Sequence, residues 1–195
     1  MQSPFHEEII KSASPEIELR TEFHPGDRNK HMWTIERITP ADFEIYREIR
    51  LRALQESPTA FGSLYSAEVT VHDAEWKRRA ERCCAERHIG LLAMDAKLAC
   101  GIVRATPDTE HPQIVWLESM WVSPESRRKG LGRLLVNEIL TWAGQNEMHS
   151  VKLSVTDNNR PALGLYTSLG FVATGRTEPY PHDPRLTELE MVALL

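Results

Sequence analysis

From Trp33 to the C-terminus, short apolar runs alternate with stripes of apolar residues at helical spacing. Trp33 to Ile38 alternates weakly and predicts a strand. Thr39, Pro40 and Asp42 come next as a helix start: a capping hydroxyl, a proline at the first helical position and an acid near the positive helix end. Phe43, Tyr46, Ile49 and Leu54 continue that helix, which should end near Glu56 because Ser57-Pro58 disfavours helix. Trp76, Ala80, Cys83 and Cys84, spaced i, i+4, i+7 and i+8, predict a second helix from Asp73 to Glu86. His88–Met94 and Lys97–Thr106 read as an antiparallel hairpin turning at Asp95 and Ala96, and Ile114–Val122 as a further strand. Leu131, Leu134, Leu135, Ile139 and Trp142 form the stripe of a third helix ending near Asn146, and Val151–Val155 is a short central strand. A fourth helix, with Pro161 in its first turn, runs from Asn159 to Leu169 and stops at Gly170. Phe171–Thr174 and Leu186–Leu194 close the pattern around residues 178–185, which hold three prolines. Ala60–Val71 fits neither period and reads as loop or irregular turn.

Residues 1–31 differ in character from the rest of the chain. Pro4, Pro15, Pro25 and Gly26, many charges and sparse apolar residues mark a polar N-terminal extension outside the main fold, and a chain beginning at Met32 would already contain the whole pattern. Residues 32–195 are expected to form one domain. The apolar fraction of 41% and charged fraction of 26% belong to an ordinary globular core. A net charge of −5 argues against bulk attraction to nucleic acid. No apolar run approaches a membrane span and the N-terminus lacks a signal-type apolar core, so a cytoplasmic location is expected. The eight histidines lack metal-ligand spacing, and no metal is expected. Cys83, Cys84 and Cys100 form no C-x-x-C pair; adjacent Cys83 and Cys84 read as packing residues, and no chemistry is assigned to the three.

Chemistry concentrates in Met120–Leu135, MWVSPESRRKGLGRLL. A strand end, Met120, Trp121 and Val122, passes through a Ser-Pro turn into a basic loop, Arg127, Arg128, Lys129, Gly130, Leu131 and Gly132, and then a helix beginning with Arg133. Two glycines let a ligand approach backbone, and unpaired amides at a helix N-terminus beside cations make an anion site. The spacing is neither G-x-x-x-x-G-K-[ST] nor G-x-G-x-x-G. It resembles the pyrophosphate-binding signature [QR]-x-x-G-x-[GA] of the GNAT superfamily of acyl-CoA-dependent N-acyltransferases, with Arg127, Gly130 and Gly132 at the defined positions. NRPALGLYTSLGF is similar to that family's second stretch through Asn159, Ala162, Tyr166, Gly170 and Phe171.

The resemblance covers residues 33–195 and implies an α+β fold: a mostly antiparallel mixed sheet of six to seven strands with about four helices and a right-handed crossover from Ile114 to Val155. It also implies acetyl-CoA as co-substrate. The backbone of Met120, Trp121 and Val122 would pair with the pantetheine arm, amides of Arg128 to Arg133 would hold the pyrophosphate, and Asn159 would bond the arm from the other side. The family's central strands splay there. Tyr166 stands where members carry the acid that protonates the leaving thiolate, and Glu118 stands near where some carry a catalytic carboxylate. A base or a water chain is needed because an alkylamine is protonated at neutral pH. Members that acetylate ribosomal protein N-termini have a glutamate at the position of Ser154, which counts against that substrate. Phe61 and Tyr65 either line the acceptor pocket or simply pack.

These residues imply direct acetyl transfer to a primary amine, on a small molecule or a protein, in a ternary complex. No cysteine lies in either motif to carry the acetyl group. A coenzyme A-binding sensor without catalysis is the alternative reading. Four loop cations make too few phosphate contacts for nucleic acid. Edge strands leave room for a homodimer.

Overall fold

The computed structural model describes residues 33–195, so the expectations for residues 1–31 and for a start at Met32 lie outside the described residues. Seven strands form one sheet in the order β1-β2-β3-β4-β5-β7-β6. They are β1 (Thr34–Arg37), β2 (Ile89–Asp95), β3 (Leu98–Pro107), β4 (Ile114–Val122), β5 (Ser150–Thr156), β6 (Val172–Pro179) and β7 (Thr187–Leu194). The helices are α1 (Phe43–Glu56), α2 (Tyr65–Glu68), α3 (Asp73–Arg82), α4 (Leu131–Gln145) and α5 (Arg160–Thr167). Every neighbouring pair of strands is antiparallel except β4 and β5, the pair joined through α4.

The sheet is covered on both faces, which is why β2 reads as a continuous apolar run rather than an alternation. Leu91 and Ala93 pack with Leu131, Leu135, Val136 and Ile139 of α4 on one face. Leu92 and Met94 pack with Tyr46, Ile49 and Leu54 of α1 and Trp76 of α3 on the other. Thr39 and Asp42 start the first helix as expected: the Asp42 carboxylate accepts from the Thr39 amide at 2.9 Å and from its hydroxyl at 2.7 Å. The first turn after Thr39 is 3-10, and α1 comes after it.

Three expectations need correction. The second predicted helix stops at Arg82 rather than Glu86: Cys83 and Cys84 donate to Ala80 and Glu81 in tight i→i+3 turns, although Cys83 stays buried. Within residues 60–71 a single helical turn forms, too short to show a period, which makes five α-helices where four were expected. β6 continues to Pro179, well past Thr174; all its residues are exposed, so the strand is held by pairing with β7 and carries no hydrophobic alternation.

Candidate active site

β4 and β5 pair only at Ile114–Ser150, Val115–Val151 and Trp116–Lys152. Beyond that, β4 stays with β3 and β5 with β7, and a gap opens between them. The β3–β4 ladder also slips between Ile102–Trp121 and Arg104–Glu118, leaving an extra residue on β4, and Ser119 there has φ +56°. This bulge and the gap expose the end of β4 to a cleft of about 820 Å³.

Met120, Trp121, Val122, Arg127, Arg128, Gly130, Gly132, Arg133, Asn159 and Tyr166 all stand in its wall, whereas Lys129 and Leu131 do not. The Leu131 side chain is buried in the core, so only its amide is available. Gly130 caps α4 at φ +93°, a conformation that a Cβ strains. A Cβ at Gly132 would come within 3.3 Å of both Met120 Cε and Leu165 Cδ2. The amides of Leu131 to Arg133 have no carbonyl within the helix to meet. Left-handed Arg128, at φ +58°, helps to curve the preceding loop toward them.

Several of the expected site residues also hold the frame. Arg127 donates to both carboxylate oxygens of Glu56 and, from Nε, to the Val122 carbonyl at 2.9 Å. The Trp121 ring is buried against α1, and its Nε1 donates to Glu56 at 3.0 Å. Glu56 is therefore the joint between α1, β4 and the loop, and these bonds, Arg127's first, hold its carboxyl down to about 2. Arg133 reaches Ser168 Oγ at 2.7 Å and so ties α4 to the end of α5. Asn159 caps α5, its Oδ1 accepting from the Ala162 amide at 3.3 Å. Tyr166 is 6% exposed and packs tilted on Phe171, its carbonyl accepts from the Leu169 and Phe171 amides, and its hydroxyl makes no hydrogen bond among the described residues. Burial raises its phenol above the ordinary value, so it is protonated at neutral pH. Thr156 Oγ1 is buried in the same wall without a partner among the described residues, a polar group suited to a ligand amide.

Glu118 lies elsewhere. It is exposed, accepts from Thr106 at 3.1 Å, and lines a second cleft of about 520 Å³ with Tyr46, Arg50, Phe61, Arg104 and Glu188. Phe61 both packs and lines this cleft, while Tyr65 only packs. The two clefts share Ala60, Ser154 and Glu188, which places these residues at their seam. Glu188 is half-buried on β7, and burial, with the nearby Glu178 charge second, raises its carboxyl, with His182 opposing. Two loops frame the seam: the Tyr180 hydroxyl sits 2.9 Å from the Pro58 carbonyl and 2.8 Å from that of Phe61, and His182 Nε2 lies 2.9 Å from the Gly62 carbonyl.

Glu188 was invisible in the sequence because nothing in TELEMVAL says which strand it will neighbour. Arg50 did leave a signal, standing four residues after Tyr46 and four before Leu54, inside an apolar stripe where a charge needs a reason. Among the described residues there is no His, Cys, Asp and Glu cluster able to hold a metal, and no helix is long and apolar enough to cross a membrane.

A sequence profile of the acetyltransferase (GNAT) family matches residues 48–171. An uncharacterised N-acetyltransferase of Schizosaccharomyces pombe is 41% identical over 68 residues, covering 35% of this chain and 40% of that protein. A peptidyl-lysine N-acetyltransferase of Salmonella typhimurium is 32% identical over 71 residues, covering 33% and 46%. The aligned segments thus span less than half of these curated relatives. Among solved structures, a GNAT acetyltransferase of Streptococcus pneumoniae superposes with a TM-score of 0.74 at 23% identity over 84% of this chain and 100% of its own. A Salmonella typhimurium acetyltransferase solved with acetyl-CoA gives 0.71 at 21% identity over 84% and 94%; at these identities the likeness establishes the fold. With the profile spanning most of the chain and both motifs lining one cleft, this chain belongs to the acetyltransferase (GNAT) family.

Proposed function

We propose that the protein transfers an acetyl group from acetyl-CoA to a primary amine by direct attack in a ternary complex. The observation that carries this reading is the meeting of two clefts at Ser154 and Glu188, one walled by the glycine loop and Tyr166, the other by polar side chains. The first suits coenzyme A: first-turn amides of α4 and Arg128 for the pyrophosphate, the freed end of β4 and Asn159 for the pantetheine amides, and buried Thr156 beside them. Relatives named as N-acetyltransferases and a neighbour holding acetyl-CoA support the same assignment.

In the reaction, the neutral amine nitrogen attacks the thioester carbonyl carbon, the C–S bond breaks, and a proton leaves the nitrogen. Glu188 is the base in this reading, since it reaches the seam and its raised carboxyl is a stronger acceptor than an ordinary glutamate. Glu118, confined to the second cleft, orients the incoming ammonium. The departing thiolate takes its proton from Tyr166.

The test is coenzyme A release from acetyl-CoA against a panel of amines. Stimulation by an amine, with Tyr166→Phe lowering kcat about a hundredfold or more and leaving acetyl-CoA binding intact, is expected. Tight acetyl-CoA binding without stimulation by any amine would favour a coenzyme A sensor. Full activity of Tyr166→Phe would remove the phenol from the mechanism.

A further inference from the structure

The second cleft is lined by two arginines with buried, unpaired nitrogens. Arg50 is 8% exposed; one terminal nitrogen donates to Ser63 Oγ at 2.8 Å, while Nη1 is buried with no partner among the described residues. Its guanidinium is held over the Phe61 ring, 4.5 Å from the centroid. Arg104 donates from Nη1 to the Tyr46 hydroxyl at 3.2 Å and lies beside the buried Cys83 thiol, and its Nε is buried without a hydrogen-bond partner among the described residues. Both line the cleft. The neighbouring carboxylates are engaged elsewhere, Glu68 by Arg79, and Glu75 by Arg78, Arg79 and Arg82. Among the described residues neither Arg50 nor Arg104 forms an ion pair. Burial lowers the Arg50 pKa, with Tyr46 and Glu68 opposing and Arg104 adding to the shift, whereas the Arg104 pKa is raised, its burial being outweighed by Tyr46, Cys83 and Glu118.

Buried guanidinium groups are retained where an anion pairs with them, and the planar donor fork matches a carboxylate. Glu188 stands at the seam on the same wall and suits an ammonium, while Glu118 stands opposite Arg104 on the neighbouring strand. The cleft therefore offers separate places for the two charges of a zwitterion. We propose that the acceptor is a free amino acid or a close analogue, its carboxylate on Arg50 and Arg104 and its amine directed to the seam at Ser154 and Glu188. The inference rests on the acetyltransferase reading and narrows its acceptor class.

The experiment compares the proteinogenic L-amino acids with their α-carboxamides, their decarboxylated amines and short peptides as acceptors, reading kcat/KM by coenzyme A release. Acids should exceed their carboxamides by about a hundredfold, and Arg50→Met should abolish that discrimination by lowering the acids to the carboxamide level. Arg50→Lys should restore part of it. If Arg50→Met fails to fold, Arg104→Met carries the same expectation. Turnover of carboxamides, amines or peptides as fast as the acids overturns the carboxylate site and leaves acetyl transfer standing. If nothing turns over, calorimetric titration of the same acids into the coenzyme A-loaded protein decides. Binding lost in Arg50→Met keeps the site and removes the transfer reading; absence of binding removes the site.

Discussion

Glu188 and Tyr166 stand in one cleft wall, and burial raises both. It makes the carboxylate more basic, while the phenol, protonated at neutral pH in any case, becomes a weaker acid and gives up its proton only as negative charge develops on the departing sulfur. A base must be ionised to act, so a raised Glu188 pKa moves the acidic limb of the kcat/KM profile upward relative to an ordinary glutamate. Glu188→Gln should lower kcat/KM about a hundredfold and erase that limb. Glu118→Gln should raise the acceptor KM and keep the limb; a lost limb in Glu118→Gln with an intact one in Glu188→Gln would exchange their roles. Tyr166 and Asn159 were legible as candidates because they sit inside a spaced motif. Glu188 sits in a strand whose neighbours are decided by folding.

The glycine loop and the end of α1 work as one element through Glu56. Its carboxyl is held at about 2, below the value of about 4.3 for an unfolded glutamate, so its contribution to stability is present at neutral pH and lost as pH falls from about 4.5 toward 2. The group is partly exposed, so solvent screening leaves about 1 kcal/mol. Glu56→Gln should lower the urea midpoint accordingly at pH 7, approach the wild type only as pH falls through about 2, and raise the KM for acetyl-CoA as Arg127 is released. An unchanged midpoint at pH 7 would show the joint to be incidental. Within the loop, Gly132→Val would drive its side chain into Met120 and Leu165 on the cleft wall. A loss of acetyl-CoA affinity of about tenfold or more is expected, with the thermal midpoint moving by a few degrees at most. The loop's backbone role was readable from its glycines, but the engagement of Arg127 and Arg133 by Glu56 and Ser168 was not: each pair lies far apart in sequence.

Across the molecule, the cleft exists because one sheet has two allegiances. β4 is committed to β3 by a long ladder, β5 is committed to β7 along its whole length, and three residue pairs join the halves. The wall of the gap is mixed, with Met120, Val155 and Leu165 beside Ser154, Asn159 and the buried hydroxyl of Thr156. Tyr180, from the loop between β6 and β7, then fastens residues 58–61 over the seam. Tyr180→Phe removes a hydroxyl that two carbonyls share and should raise the acceptor KM about threefold to tenfold, with acetyl-CoA KM unchanged. Equal effects on both substrates would place its role in general stability.

Hydrophobic periodicity and two spaced motifs were enough to establish the kind of the main elements, their order, the family and the motif residues that wall the first cleft, because each of those depends on contacts local in sequence or on backbone geometry that glycine and capping residues encode. The one-turn α2, the length of β6 and the end of α3 escaped, since each is set by pairing or turn closure rather than by an apolar face. The gap between β4 and β5, the Glu56 joint, the position of Glu188 and the unpaired guanidinium nitrogens of Arg50 and Arg104 were decided only by tertiary structure. Each depends on groups from different elements arriving at one place, and the strength of a charge or hydrogen bond there depends on burial that no single stretch of chain can specify.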